Sequence, residues 1–125
     1  MSLIAITSVV DLHLVRGHRP AFDEYIGRAV KGTEFQTSSI WANPFTPHNY
    51  SPKAGILAAY EFWIKERIRE DPVTYNLETL RGKRLGCWCI TTSRIDNLVC
   101  HGQILLKLLR EGYYRHIITE REKWN

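Results

Sequence analysis

The side chains best suited to chemistry gather in one stretch, with Cys87, Cys89, Cys100 and His101 all lying between Arg81 and Arg110. The run Arg84-Leu85-Gly86-Cys87-Trp88-Cys89-Ile90 is short, apolar and bounded by Gly82 and the mostly polar residues Thr91 to Asn97, the pattern of a buried strand. Alternation along a strand puts Leu85, Cys87 and Cys89 on one face, with Gly86, Trp88 and Ile90 on the other. Beyond it, Ile104, Leu105, Leu108 and Leu109 repeat at the spacing of a helix with one apolar face, which Gly112 is placed to end. Cys100 and His101 then stand at the helix start, where free N–H groups and the dipole favour an anion, either a thiolate or a bound phosphate.

These four residues leave three readings open. Free cysteines are small hydrophobes that pack well in cores, with His101 capping the helix. Alternatively, Cys87, Cys89, Cys100 and His101 hold structural zinc, although paired ligands usually stand two to four residues apart whereas here one pair is Cys-x-Cys and the other adjacent. In the third reading Cys100 is a nucleophile or lines an anion pocket, with His101 beside it. A protonated His101 would favour the Cys100 thiolate, so Cys100 is expected to be the most reactive of the cysteines.

Two further positions suit ligand binding. Glu24 to Arg28 reads as a short strand ending in Gly27-Arg28, and an arginine at a strand end can grip a phosphate or carboxylate with both prongs of its planar fork. The plain alternative is a surface ion pair. Trp41-Ala42-Asn43-Pro44-Phe45 reads as a rigid turn, since Pro44 fixes its own φ and biases Asn43 toward extended backbone. Asn43 offers a donor and an acceptor to a base or amide edge, or else satisfies local backbone groups.

Tyr25-Ile26-Gly27-Arg28, Asn43-Pro44-Phe45, Leu80-x-Gly82-Lys83-x-Leu85-x-Cys87-Trp88-Cys89 and Cys100-His101-Gly102 together resemble the ordered motifs of an uncharacterised family, domain of unknown function 4326. The resemblance runs from about Val9 to Leu109, with longer inserts at Ala29 to Ile40 and Thr91 to Val99 than the family pattern has. It implies a site at these motifs, adds weight to a ligand role for Arg28, and carries no activity.

The elements that must position these residues follow from the same patterning. Leu3 to Leu12 is β-branched and reads as a strand, and His13 to Asp23 as a turn-rich loop in which Arg16, His18 and Arg19 face solvent. Ser51-Pro52 signals a helix start, and Ile56, Leu57, Tyr60, Trp63, Ile64 and Ile68 give that helix one broad apolar face, ended by Asp71-Pro72. Asn76 to Leu80 suits a helical turn, and the aromatic, β-branched run Tyr113 to Thr119 suits an edge strand.

With 125 residues, 44% hydrophobic content and a formal charge of +4, the chain is the size of one domain, and its mildly basic balance fits nucleotides or nucleic acid without requiring them. The apolar start is broken early and lacks a basic leader, which predicts neither a signal peptide nor a membrane span. Three cysteines, two in Cys-x-Cys, speak against a secreted disulfide framework and for a reducing cytoplasm. These elements predict a single α/β domain over residues 1–125, a small Rossmann-like sheet flanked by helices, in which Arg28, Asn43, Cys89, Cys100 and His101 converge beyond the strand ends. The function expected is binding, with processing by Cys100 and His101, of a nucleotide-like or other phosphorylated small molecule. The alternatives are a zinc-stabilised nucleic-acid-binding module and a structural or partner-binding domain without a catalytic site. No Gly-x-x-x-x-Gly-Lys-Ser/Thr loop and no acid–base pair at a characteristic spacing names a reaction or a cofactor.

Overall fold

The computed structural model describes residues 6–45, 55–88 and 100–124. Three strands, β1 (Ser8–Asp11), β2 (Glu24–Tyr25) and β3 (Arg84–Cys87), form a parallel sheet in the order β1-β3-β2. Three helices accompany them, α1 (Ile56–Glu70), α2 (Gly102–Arg110) and α3 (Tyr113–Lys123), with a short 3-10 turn at Leu77–Leu80. The protein is thus a mixed α/β structure.

The central strand is the most buried one, with Leu85, Gly86 and Cys87 all buried while β1 and β2 are partly exposed throughout. Val9 lies opposite Leu85 and Tyr25 opposite Gly86 in the register. Leu85 and Cys87 point into the main core with Ile26, Tyr60, Ile64, Ile68, Leu105, Leu108 and Ile117, so the helices cover that face. Gly86 points the other way, and a Cβ there would lie 3.0 Å from the Leu12 side chain. Leu12 and Phe35 are buried yet stand outside the main cluster, and Phe35 stacks on Tyr25 with centroids 4.2 Å apart. Leu12 and Phe35 therefore cover the second face, and the alternation expected along β3 holds for Leu85 to Cys87.

The expected first two strands are shortened. β1 occupies only Ser8–Asp11 of Leu3 to Leu12, of which residues 1–5 lie outside the described part. β2 ends at Tyr25 because, after Ile26 N–H bonds Gly86 O (2.9 Å), Gly27 O and Ala29 N–H turn to Ser39 N–H (2.9 Å) and Ser38 Oγ (2.8 Å) instead of β3. The entrance of β2 is pinned to that of β3 by Asp23, whose carboxylate accepts from Arg84 N–H and from both prongs of its guanidinium at 2.7–3.0 Å.

α1 buries Tyr60, Ile64 and Ile68, the predicted face, and Asp71 N–H closes it on Arg67 O. Its expected start at Ser51-Pro52 and the Thr91 to Val99 insert fall outside the described residues. The helical turn expected at Asn76 to Leu80 is the 3-10 turn, capped by Asn76 Oδ1, which accepts from Glu78 N–H at 3.1 Å.

The predicted edge strand at Tyr113 to Thr119 is instead most of α3. Strand propensity is overruled by docking: Ile117 is buried against the core, Tyr113 OH donates to Lys65 O (3.2 Å) and Tyr114 OH to Pro72 O (2.8 Å), while Arg121 donates to Arg69 O (2.9 Å). The i, i+4 step from Tyr113 to Ile117 and Arg121 brings these groups onto one side. Lys107 on α2 grips both carboxylate oxygens of Glu61 on α1 at 2.9 and 3.0 Å, closing the helical layer.

Candidate functional site

Because the strands are parallel, their carboxyl ends meet on one edge of the sheet, and β3 then feeds toward the start of α2 on the same edge. His101 stands at the centre of this meeting. It is buried, and its Nε2–H donates to Ile26 O at 2.7 Å at the end of β2. A carbonyl only accepts, so Nε2 carries the proton and Nδ1 presents a lone pair toward Cys100 Sγ at 3.5 Å. The ring also packs edge-on to Tyr60, with centroids 5.0 Å apart. His101 makes no side-chain capping bond to α2, so its expected capping role is replaced by this tie to β2.

Burial pushes the His101 pKa down to about 4, against the pull of the Ile26 carbonyl and with help from the positive charge of Arg28. The imidazole is therefore neutral near pH 7 and cannot supply the positive charge that a Cys100 thiolate was expected to gain from it. Cys100 is fully buried, accepts from Gly102 N–H at 3.3 Å, and its sulfur lies against that of Cys87. The end of β3 and the residue pair leading into α2 thus come together in space, with the Cys87 and Cys100 Cα atoms 7.4 Å apart, beyond the usual span of a disulfide. Cys89 lies outside the described residues, and so does its place in the zinc ligand set. Among the described residues no group of three His, Cys, Asp or Glu side chains is arranged to hold a metal ion.

Arg28 follows β2 with its side chain exposed, and its backbone carbonyl accepts from Tyr25 OH. No carboxylate among the described residues pairs with its guanidinium, unlike Arg84 and Arg19, which hold Asp23 and Glu34. Asn43 uses Oδ1 locally, accepting from Phe45 N–H at 2.9 Å, the plainer of its two expected roles. Its turn nevertheless approaches the site: Tyr60 OH donates to Trp41 O at 2.7 Å while the Tyr60 ring packs on His101. The structure thus brings Arg28, Cys100 and His101 together, and sets Asn43 at their margin.

Several residues that the sequence did not single out occupy the same edge. Trp88 Nε1–H donates to Tyr25 OH at 2.9 Å, linking the ends of β3 and β2. Arg19, expected to be solvated, instead lies over Trp88 (4.8 Å to the centroid) and Phe35 (5.4 Å) and donates to Leu12 O and to Glu34. At the end of β1, Asp11 Oδ1 meets His13 Nδ1 at 2.5 Å. The i, i+2 spacing of Asp11 and His13 after a β-branched run was the available signal. A separate open hollow of about 520 Å³ between α1 and α3, lined by Arg69, His116, Arg121 and Trp124 among others, shares no residue with this edge.

Fold and site define a small mixed α/β protein whose polar and aromatic groups collect beyond the carboxyl ends of a parallel sheet. The sequence matches the family described as Domain of unknown function (DUF4326) over residues 12–111, and the chain belongs to that family. No curated protein and no solved structure matches it. No helix among the described residues is long and apolar enough to cross a membrane.

Proposed function

We propose that the protein binds a nucleotide-like or other phosphorylated small molecule beyond the carboxyl ends of its strands, using them as a small Rossmann-like sheet does. The observation that carries this reading is Arg28, an exposed guanidinium without a carboxylate partner among the described residues, beside the buried His101 and the start of α2. A guanidinium left open at a strand end suits a two-pronged hold on phosphate oxygens. The first turn of α2 adds the positive end of its dipole, and neutral His101 secures the β2 end against that turn. Asn43 contributes its amide N–H groups at the margin. Cys100 acts here as a wall of the site: its sulfur is buried against that of Cys87, so chemistry there requires an opening of the core.

Calorimetry with ADP and inorganic pyrophosphate as probes tests the reading. Arg28→Lys keeps the charge but loses the fork, so binding of the probe is expected to weaken by about tenfold, or about 1.4 kcal/mol, with little change in the urea unfolding midpoint. Unchanged affinity removes Arg28 from the site. Failure of the unaltered protein to bind either probe removes the phosphate reading.

A further inference from the structure

The carboxyl end of β1 carries a pair of side chains that anion binding leaves unused. Asp11 Oδ1 accepts from the His13 backbone N–H at 3.1 Å and lies 2.5 Å from the ring Nδ1. A carboxylate only accepts, so in the neutral ring Nδ1 bears the hydrogen and Nε2 keeps its lone pair. The His13 side chain is 55% exposed, and no group among the described residues bonds to Nε2. Trp88 meets the imidazole at 84° with centroids 5.2 Å apart, which restrains the ring plane. Tautomer, tilt and access are thus set as a carboxylate sets them for a general base.

The position of the pair distinguishes it from an ordinary surface contact. After β1 the chain passes to the face covered by Leu12 and Phe35, whereas after β3 it reaches α2 on the opposite face. The gap between the ends of β1 and β3 is therefore the point where connections diverge, the usual place of a ligand crevice in an open parallel sheet. From His13 the edge continues through Trp88 to Tyr25 and, by the Tyr25 hydroxyl, to the carbonyl of Arg28.

We infer that Asp11 and His13 form an acid–base dyad whose Nε2 takes a proton from a hydroxyl or water of a phosphorylated ligand lying along this edge. The ligand class rests on the phosphate reading above; the dyad itself rests on its own geometry. In the transfer the Nε2 lone pair forms the new N–H bond, the O–H pair stays on oxygen, and Asp11 holds the imidazolium by its Nδ1–H.

Modification by diethyl pyrocarbonate, followed histidine by histidine with peptide mass spectrometry, tests the inference without requiring a substrate. His18 and His116 are also exposed, and neither has a carboxylate partner among the described residues, so they serve as internal references. His13 is expected to react several-fold faster than both, and Asp11→Asn is expected to abolish that excess while circular dichroism stays unchanged. Equal rates for the three histidines, or an excess that survives Asp11→Asn, overturn the dyad. With ADP bound, the His13 rate is expected to fall and the His116 rate to hold; no protection in protein shown by calorimetry to bind ADP overturns the shared edge. If ADP and pyrophosphate do not bind at all, the phosphate reading fails, and the rates in their absence still decide the dyad.

Discussion

His101 shows how one buried side chain can hold an edge of the fold together and make it sensitive to acid. Its ordinary value is 6.5 and its folded value about 4, chiefly because burial disfavours the charged ring. The unfolded chain therefore binds a proton at His101 more readily than the folded one. The stabilising contribution is complete above pH 6.5 and is lost as the pH falls toward 4, a change of about 3 kcal/mol from the size of the shift. Asp23, held near 2 by the Arg84 guanidinium, loses its own contribution below its ordinary 3.8, outside this window. Urea unfolding across the pH series should show the fall between pH 6.5 and 4, and His101→Gln, which can still donate to Ile26 O, should flatten it. An equally steep fall in the variant would place the acid sensitivity elsewhere.

At the scale of elements, the turn between α2 and α3 decides whether Tyr113 onward continues as helix or leaves as strand. Gly112 sits at φ +68°, the left-handed conformation that ends α2, and its N–H closes on Leu109 O at 3.2 Å. The same residue leads directly into α3, whose His116 N–H bonds Gly112 O at 3.0 Å. Nothing lies within 4 Å of a Cβ added there, so Gly112→Ala isolates the backbone term. It is expected to destabilise by about 1 kcal/mol, because an L side chain resists the left-handed region. A gain in stability in urea or thermal unfolding, as helix propensity would give inside a continuous helix, would rule out the left-handed junction.

For the molecule as a whole, the close approach of α2 to the sheet joins core and candidate site. A Cβ on Gly102 would stand 2.9 Å from Ile26 Cδ1 and 2.9 Å from Val9 Cγ2, so the first turn of α2 lies against β1 and the end of β2 at once. Gly102→Ala gains helix propensity but must push that turn off both strands. A net loss of about 1–2 kcal/mol is expected from overpacking. Because the same turn borders Arg28 and His101, weaker ADP binding should accompany it, read by calorimetry on protein confirmed as folded. Full stability and affinity in the variant would show that the close docking is not required.

Local patterning was enough to read what depends on neighbours in the chain: the alternation of Leu85, Gly86 and Cys87, the apolar face of α1, the helical turn ending at Leu80, the start of α2 near Cys100 and His101, and Gly112 as its end. These follow from backbone periods and capping chemistry that act within a few residues. The contact of Cys87 with Cys100, the bond of His101 to Ile26 O and the seat of Arg19 over Trp88 depend on separate segments of the chain, which only packing brings together. The Tyr113 to Thr119 run shows why propensity fails there: its aromatic and β-branched residues favour a strand locally, but the core offers a helical Ile117 a buried seat, and Lys65 on α1 and Pro72 just beyond it offer carbonyls to the two tyrosine hydroxyls. Tertiary contacts outweigh a strand preference whose whole span is about 1 kcal/mol, and they also bring Asp11, His13, Trp88 and Arg28 onto one edge.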